Sequence, residues 1–359
     1  MRRRHFEALR PVCPVCRAEN PSGFPLRIAE VARESDGHII EGALHCGNEN
    51  CLREFPIVDG IPLIVANIRQ YISENVLAIY GRRDLSDFLE SIVGDCCGPG
   101  SVYEQTRQHL SSYAWDHYGD LDLKFAAEEP RPGAMLRNLE AGCSLAEPID
   151  LSGGILDAGC SVGRGSFALA ERGAELVLGV DLNFPMLRLA SEILRTGQVR
   201  YPRRRVGLVY NRREFHANFK NRENVDFWAC DAAALPFPDA TFSFAASMNV
   251  LDCVYAPREF LISFGRVLKP GAKAVLTVPY DWSQGATPVE AWLGGHSQRS
   301  PLAGSPEAVL RMLLTPGHHQ ASIGSLQLLA ERANLPWQVR LHDRSVMSYQ
   351  VHLVVAEKQ

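Results

Sequence analysis

Apolar residues in the second half of the chain fall in short blocks, several of which end in an acid. Ile155-Leu156-Asp157, Leu176-Val177-Leu178-Gly179-Val180-Asp181 and Val225-Asp226-Phe227-Trp228-Ala229-Cys230-Asp231 have this form. Such runs predict parallel strands of an α/β sheet, and Phe242 to Asn249 and Ala274 to Pro279 add two more. Helical spacing fills the gaps, as in Ser166 to Ala170 and Met186 to Arg195. Near the end the pattern turns to two strands, Trp337 to Asp343 and Met347 to Ala356. Upstream, Leu26 to Leu44 alternates loosely and predicts strands. Asn67 to Leu89 carries Ile72, Val76, Ile79 and Tyr80 at helical spacing, and Cys96-Cys97-Gly98-Pro99-Gly100 is a break. A further helix is predicted from Val102 into Tyr113-Ala114-Trp115-Asp116-His117-Tyr118, and another over Ala134 to Glu140.

Composition narrows the class. With 359 residues, the chain has room for one large domain or two to three smaller ones. A hydrophobic share of 46% and a charged share of 22% fit a globular protein with a sizeable core. The net charge of -4 gives no global pull toward nucleic acid or an anionic membrane. No apolar run approaches a membrane span, and no apolar signal segment follows Met1-Arg2-Arg3-Arg4, so a cytoplasmic protein is expected. Of its 10 cysteines, four stand in two close pairs near the N-terminus, which reads as reduced thiols holding a metal.

The candidate chemistry centres on Asp157-Ala158-Gly159-Cys160-Ser161-Val162-Gly163-Arg164-Gly165, an acid and a small-residue turn entering a helix. Such a turn at the carboxyl end of a strand is where open α/β sheets bind nucleotide-like ligands. Its glycines are too widely spaced for the dinucleotide fingerprint, which disfavours a nicotinamide dehydrogenase. Asp181, roughly 20 residues further on, suits a ribose hydroxyl pair. Taken with Asp231-Ala232-Ala233-Ala234-Leu235-Pro236-Phe237-Pro238-Asp239 and Leu268-Lys269-Pro270-Gly271, the series resembles the class I S-adenosylmethionine (SAM) methyltransferases. The resemblance covers Gly153 to the end and implies a Rossmann-like seven-stranded sheet closed by an antiparallel hairpin. It implies SAM as cofactor, held by Asp157, Gly159, Cys160, Gly163, Gly165, Asp181, Leu182, Asp231, Ala232 and Asn249. Asp231 would meet the adenine amino group and the Ala232 amide a ring nitrogen.

The N-terminal pairs are Cys13-Pro14-Val15-Cys16 and Cys46-Gly47-Asn48-Glu49-Asn50-Cys51. Two such pairs across a short β-rich stretch can complete a four-thiolate shell, for which zinc is the default structural metal. With Phe55-Pro56-Ile57-Val58-Asp59-Gly60-Ile61-Pro62, the segment resembles the zinc-ribbon module of the small activator subunit of several methyltransferases. The expected domains are a zinc ribbon over 1–66, a helical connector and lid over 67–150, and a methyltransferase domain over 151–359.

Two features lie outside the generic core. Arg203-Arg204-Arg205, Arg212-Arg213 and Lys220 make a basic insertion within 200–222, which fits RNA phosphate, an anionic small molecule or a solvated loop. After the fifth core strand, Tyr280-Asp281-Trp282 and Trp292-Leu293-Gly294-Gly295-His296 offer aromatic and titratable groups for an acceptor pocket. This stretch resembles the methyltransferases that N-methylate a thiohistidine. Tyr280, Asp281 and His296 are the expected catalytic groups, and Trp115, Tyr118, Trp282 and Trp292 the expected acceptor contacts. The reading is methyl transfer to a nitrogen, sulfur or oxygen of a small molecule or peptide, an imidazole among the candidates. The alternatives are an rRNA or tRNA base methyltransferase docking RNA through ribbon and arginines, and a non-catalytic scaffold.

Overall fold

The computed structural model describes residues 1–124, 130–283 and 285–359. Its strands are β1 (Leu26–Ser35), β2 (His38–Cys46), β3 (Glu54–Val58), β4 (Ile61–Ile64), β5 (Gly154–Ala158), β6 (Leu176–Asp181), β7 (Gln198–Val206), β8 (Val209–His216), β9 (Val225–Cys230), β10 (Phe242–Met248), β11 (Leu268–Val278), β12 (Leu326–His342) and β13 (Ser345–Lys358). Among the described residues, eleven of them form one sheet in the order β1-β2-β3-β4-β9-β6-β5-β10-β11-β13-β12. From β9 to β12 this is the Rossmann-like seven-stranded arrangement, with β13 antiparallel between β11 and β12. Every residue of β5, β9 and β10 is buried, as in a parallel sheet covered on both faces.

The N-terminal strands were expected as a separate unit. Instead β4 pairs in parallel with β9, Leu63 opposite Ala229 and Ile64 opposite Cys230. Without β4, β9 would be an edge strand with unpaired backbone groups. The seam is polar as well as apolar. Asp226 on β9 accepts the Arg2 N–H at 2.7 Å and the Trp228 indole N–H at 2.7 Å, and the Arg2 guanidinium donates to Val225 O at 2.9 Å. The α-amino group of Met1 donates to the carbonyls of Ile39 and Gly60.

The connector divides differently from the expected run over 67–89. One helix spans Ile68–Tyr80, the chain breaks at Gly81, and a second spans Asp87–Cys97. Ser86 starts the second by accepting the Leu89 N–H at 3.2 Å. The helix Val102–Tyr118 follows, capped by Ser101, and then Ala134–Ala146.

At the C-terminus the strands outrun the pattern. Val278, the last residue of β11, pairs with His352, so the seven residues 345–351 of β13 continue past the sheet's carboxyl edge. At about 3.3 Å per residue this arm, paired to β12, is roughly 23 Å long. Its tip meets the β7–β8 hairpin, where the Asp343 N–H donates to Arg205 O at 3.0 Å and Arg203 pairs with Asp343 at 3.0 Å.

Candidate active site

The carboxyl ends of β5, β6, β9, β10 and β11 bring the sequence-predicted groups to one edge. Gly159 has φ +77°, and a Cβ there would lie 2.1 Å from Val250. Gly163 has φ +90°, and its Cβ would lie 2.6 Å from the Phe227 ring. Both positions therefore require glycine. Cys160 is buried in the same turn, and Gly165 lies in the first turn of the helix Arg164–Glu171. Asp157 is fully inside, 3% exposed, and accepts the Ser166 hydroxyl at 2.7 Å; burial pushes its carboxyl up to about 6. It braces the turn against the next helix.

Asp181 uses both oxygens, accepting the Ser161 N–H and the Asn183 N–H at 2.8 Å each. Burial raises its pKa. The Tyr71 hydroxyl donates to the Leu182 carbonyl at 3.0 Å, so the connector touches this corner. Asp231 accepts the Ala233 N–H at 2.9 Å and caps the turn that begins at Ala232. Asn249, with φ +56°, accepts the Thr277 hydroxyl at 2.8 Å and ties β10 to β11.

The acceptor side contains groups that the sequence did not single out. Asp252, 1% exposed, accepts the Asp281 N–H at 2.8 Å, joining the turn after β10 to the turn after β11. Burial pushes its carboxyl up to about 6. Tyr349, on the projecting arm of β13, stands beside Asp281; burial and then that carboxylate push its phenol up to about 12. Tyr113 stands within electrostatic reach of Cys253, Asp181, Tyr349 and Asp252. A tyrosine on a surface strand and an acid in a turn have no local signature; only the fold brings them together.

The expected acceptor residues divide. Tyr280, with φ +57°, bonds through its hydroxyl to His352 Nδ1 at 2.7 Å. Trp282 stacks on Trp292 with ring centroids 5.9 Å apart and planes 12° apart, and the Trp292 indole donates to Thr287 O at 3.0 Å. That pair packs the loop on itself. His296 is exposed and makes no hydrogen bond among the described residues, so nothing joins it to Tyr280 or Asp281. Trp115 and Tyr118 are buried at 1% and 0% exposure, below the surface where a lid would act. Tyr118 donates to Val162 O at 2.5 Å and so supports the glycine turn from beneath.

The basic insertion is a hairpin rather than an open loop, and acids already face its arginines. Arg213 binds Asp122 at 2.9 Å, Arg212 pairs with Glu90, and Arg203 and Arg205 share Asp343. Arg340 takes the same Asp343, and these pairs fasten the hairpin to the arm and to the connector.

The four N-terminal cysteines converge. The Sγ atoms of Cys13, Cys16, Cys46 and Cys51 all lie within 4.8 Å of one another, with Cys13 to Cys51 at 3.9 Å and Cys16 to Cys46 at 3.7 Å. Four thiolates about 2.3 Å from a tetrahedral zinc stand about 3.8 Å apart, so the donor set fits. Asn48 aims its backbone N–H at Cys46 Sγ (3.4 Å) and its side-chain amide at Cys16 Sγ (3.6 Å), which suits thiolate charge. The wider spacing of the second pair is absorbed by the 48–51 turn.

Residues 156–276, about a third of the chain, match the methyltransferase domain family (type 11). Phosphoethanolamine N-methyltransferase of Triticum aestivum is 29% identical over 173 residues, which cover 48% of this chain and 29% of that protein. The chain thus spans under a third of the length of this relative. A SAM-dependent methyltransferase of Methanosarcina mazei aligns over 60% of this chain and 97% of its own, at 22% identity and a TM-score of 0.40. Phosphoethanolamine N-methyltransferase 2 of Haemonchus contortus, solved with SAM, aligns over 48% of this chain and 35% of its own, at 22% identity and a TM-score of 0.33. The chain contains a methyltransferase domain on a Rossmann-like sheet.

Proposed function

We propose that this methyltransferase domain transfers the methyl group of SAM to a heteroatom, nitrogen foremost, of a small-molecule or peptide acceptor. One observation carries the reading. Asp157, Asp181 and Asp231 end adjacent parallel strands beside a glycine turn, inside the segment that matches the methyltransferase family. The partial likeness to phosphoethanolamine N-methyltransferases supports nitrogen as the atom methylated. SAM supplies an electrophilic methyl carbon on a sulfonium.

The chain's own residues supply place and protonation state. Asp181 and Asp231 would hold the ribose and adenine, through lone pairs beyond those their backbone contacts use. Gly159 to Gly163 leave room for the amino-acid end. Asp252, Asp281, Tyr113 and Tyr349 border the methyl position, and Asp252 changes charge close to neutrality. A displacement of this kind gains chiefly from alignment and exclusion of water. Trp282 and Trp292, stacked on each other, would hold the loop after β11 in place. The ion pairs of Arg203, Arg205, Arg212 and Arg213 with the arm and the connector favour a fastening role for the hairpin over RNA docking. The N-terminal strands would hold one structural zinc on Cys13, Cys16, Cys46 and Cys51, as the resemblance to the activator subunit's ribbon implies.

The direct test is calorimetry of SAM binding to the intact chain and to Asp181→Ala. A lost charge-assisted contact of about 1.5–3 kcal/mol predicts roughly 10- to 150-fold weaker binding. No SAM binding by the wild-type chain, or unchanged affinity in a folded Asp181→Ala chain, contradicts the reading.

A further inference from the structure

Behind Tyr280 lies a line of hydrogen bonds that runs across three elements. The Tyr280 hydroxyl meets His352 Nδ1 at 2.7 Å, and His352 Nε2 meets Glu331 Oε2 at 3.0 Å. Glu331 in turn takes the Arg311 guanidinium at 2.8 Å. His352 sits on β13, 3% exposed, and Glu331 on β12. Arg311 lies in the helix Pro306–Leu313. The tyrosine belongs to the turn leaving β11, in a left-handed conformation uncommon for a side chain of that size.

The chemistry of the groups fixes the direction of the line. A carboxylate only accepts, and Glu331 is held ionised below its ordinary range: burial opposes this, and Arg311 and His352 outweigh it. His352 Nε2 is therefore the donor to Glu331, and with the ring in its neutral form Nδ1 is the bare acceptor facing Tyr280. The Tyr280 phenol, raised by burial, stays protonated and donates to that nitrogen. Its remaining oxygen lone pairs are left to accept a hydrogen from elsewhere. The charged groups around the line are Glu331 and Arg311 beside His352, and Glu307, Arg311, Glu331 and Asp252 around Tyr280.

We propose that Tyr280, His352 and Glu331 form a proton relay, with Tyr280 taking a hydrogen from the acceptor and His352 as the terminal base. The proposal rests on the methyltransferase reading above. As the acceptor heteroatom bonds to the methyl carbon and that carbon's bond to sulfur breaks, the heteroatom's proton passes to Tyr280 Oη. The Tyr280 proton passes to His352 Nδ1. The electron pair of the broken bond stays on sulfur, and the resulting imidazolium is paired with Glu331. His352 does not touch the acceptor; it acts through Tyr280.

Two measurements test this on the intact chain. The first needs no acceptor: nitrogen-15 NMR of the histidine rings in wild type, Tyr280→Phe and Glu331→Gln. The relay predicts a neutral His352 protonated on Nε2, an Nδ1 resonance that moves in Tyr280→Phe, and a lowered imidazole pKa in Glu331→Gln. A ring protonated on Nδ1, or one blind to both substitutions, overturns the proposal. The second is labelled methyl transfer from SAM to a small-metabolite fraction by His352→Gln. That variant keeps an acceptor atom toward Tyr280 and cannot take a proton. A roughly 100-fold lower rate is expected, with SAM affinity unchanged and the acid limb of the wild-type pH profile lost. Wild-type rate and profile in this variant overturn the relay while leaving the methyltransferase reading intact. Failure of the wild-type chain to bind SAM overturns that reading instead, and the NMR result still decides the hydrogen-bond line.

Discussion

Asp116, Asp157 and Asp252 are each at least 97% shielded from solvent, and burial raises all three carboxyls, to about 7, 6 and 6. Raised acids tie stability to pH in one direction. Below the ordinary carboxylate value the folded and unfolded forms are both protonated, and nothing is lost. As pH climbs from about 4 toward the folded value the unfolded chain releases its proton first, so stability falls until the folded carboxyl ionises as well. Asp157→Asn keeps an oxygen for the Ser166 hydroxyl and removes the charge. Its stability relative to wild type should therefore rise between pH 4 and 7, by on the order of 2–3 kcal/mol. Urea unfolding across that range measures it, and parallel curves for the two proteins would contradict the assignment. Asp157 itself was legible in the sequence because it closes an apolar run before a glycine turn. Asp252, Tyr349 and His352 were not, because their partners arrive from strands and turns distant in the chain.

Among the elements, the N-terminal strands show best what a local pattern omits. Paired cysteines and an alternating stretch sufficed to place strands and to bring four cysteines together. The union of β4 with β9 is a long-range pairing that no local spacing encodes. It has a consequence for metal removal. The cysteine shell anchors β2 at Cys46, β2 pairs with β3, β3 with β4, and β4 with β9. If the four cysteines hold a metal as proposed, stripping it should loosen the edge of the main sheet together with the N-terminal strands. About one equivalent of zinc per chain is expected. A strong chelator, or Cys16→Ser, should lower the melting temperature of the methyltransferase domain together with that of the N-terminal strands. Metal-free protein with four titratable thiols and an unchanged melting temperature would contradict this. The projecting β12–β13 arm was likewise underestimated. Its outer part was legible as Trp337 to Asp343 and Met347 to Ala356, but the inner half of β12 from Leu326 was not, because Gln327, Glu331 and Arg332 interrupt its apolar residues.

For the whole molecule, the sheet order and the matched segment agree on a methyltransferase domain, and the proposal of a small acceptor rests on the surface around it. The carboxyl edge is walled by the turns after β10 and β11, by Tyr113 and by the arm carrying Tyr349. The arginines that suggested RNA instead fasten the β7–β8 hairpin to the arm and to the connector. No helix among the described residues is long and apolar enough to cross a membrane. An acceptor small enough to reach Asp281 between these walls is what the account requires. RNA as the acceptor would demand counterion release, and activity would then fall steeply with salt. The most direct measurement is labelled methyl transfer from SAM by the purified chain, run in parallel on a small-metabolite fraction and on total RNA over a range of salt. Label is expected in the small-metabolite fraction, with weak salt dependence. Label in RNA, lost steeply as salt rises, would contradict it.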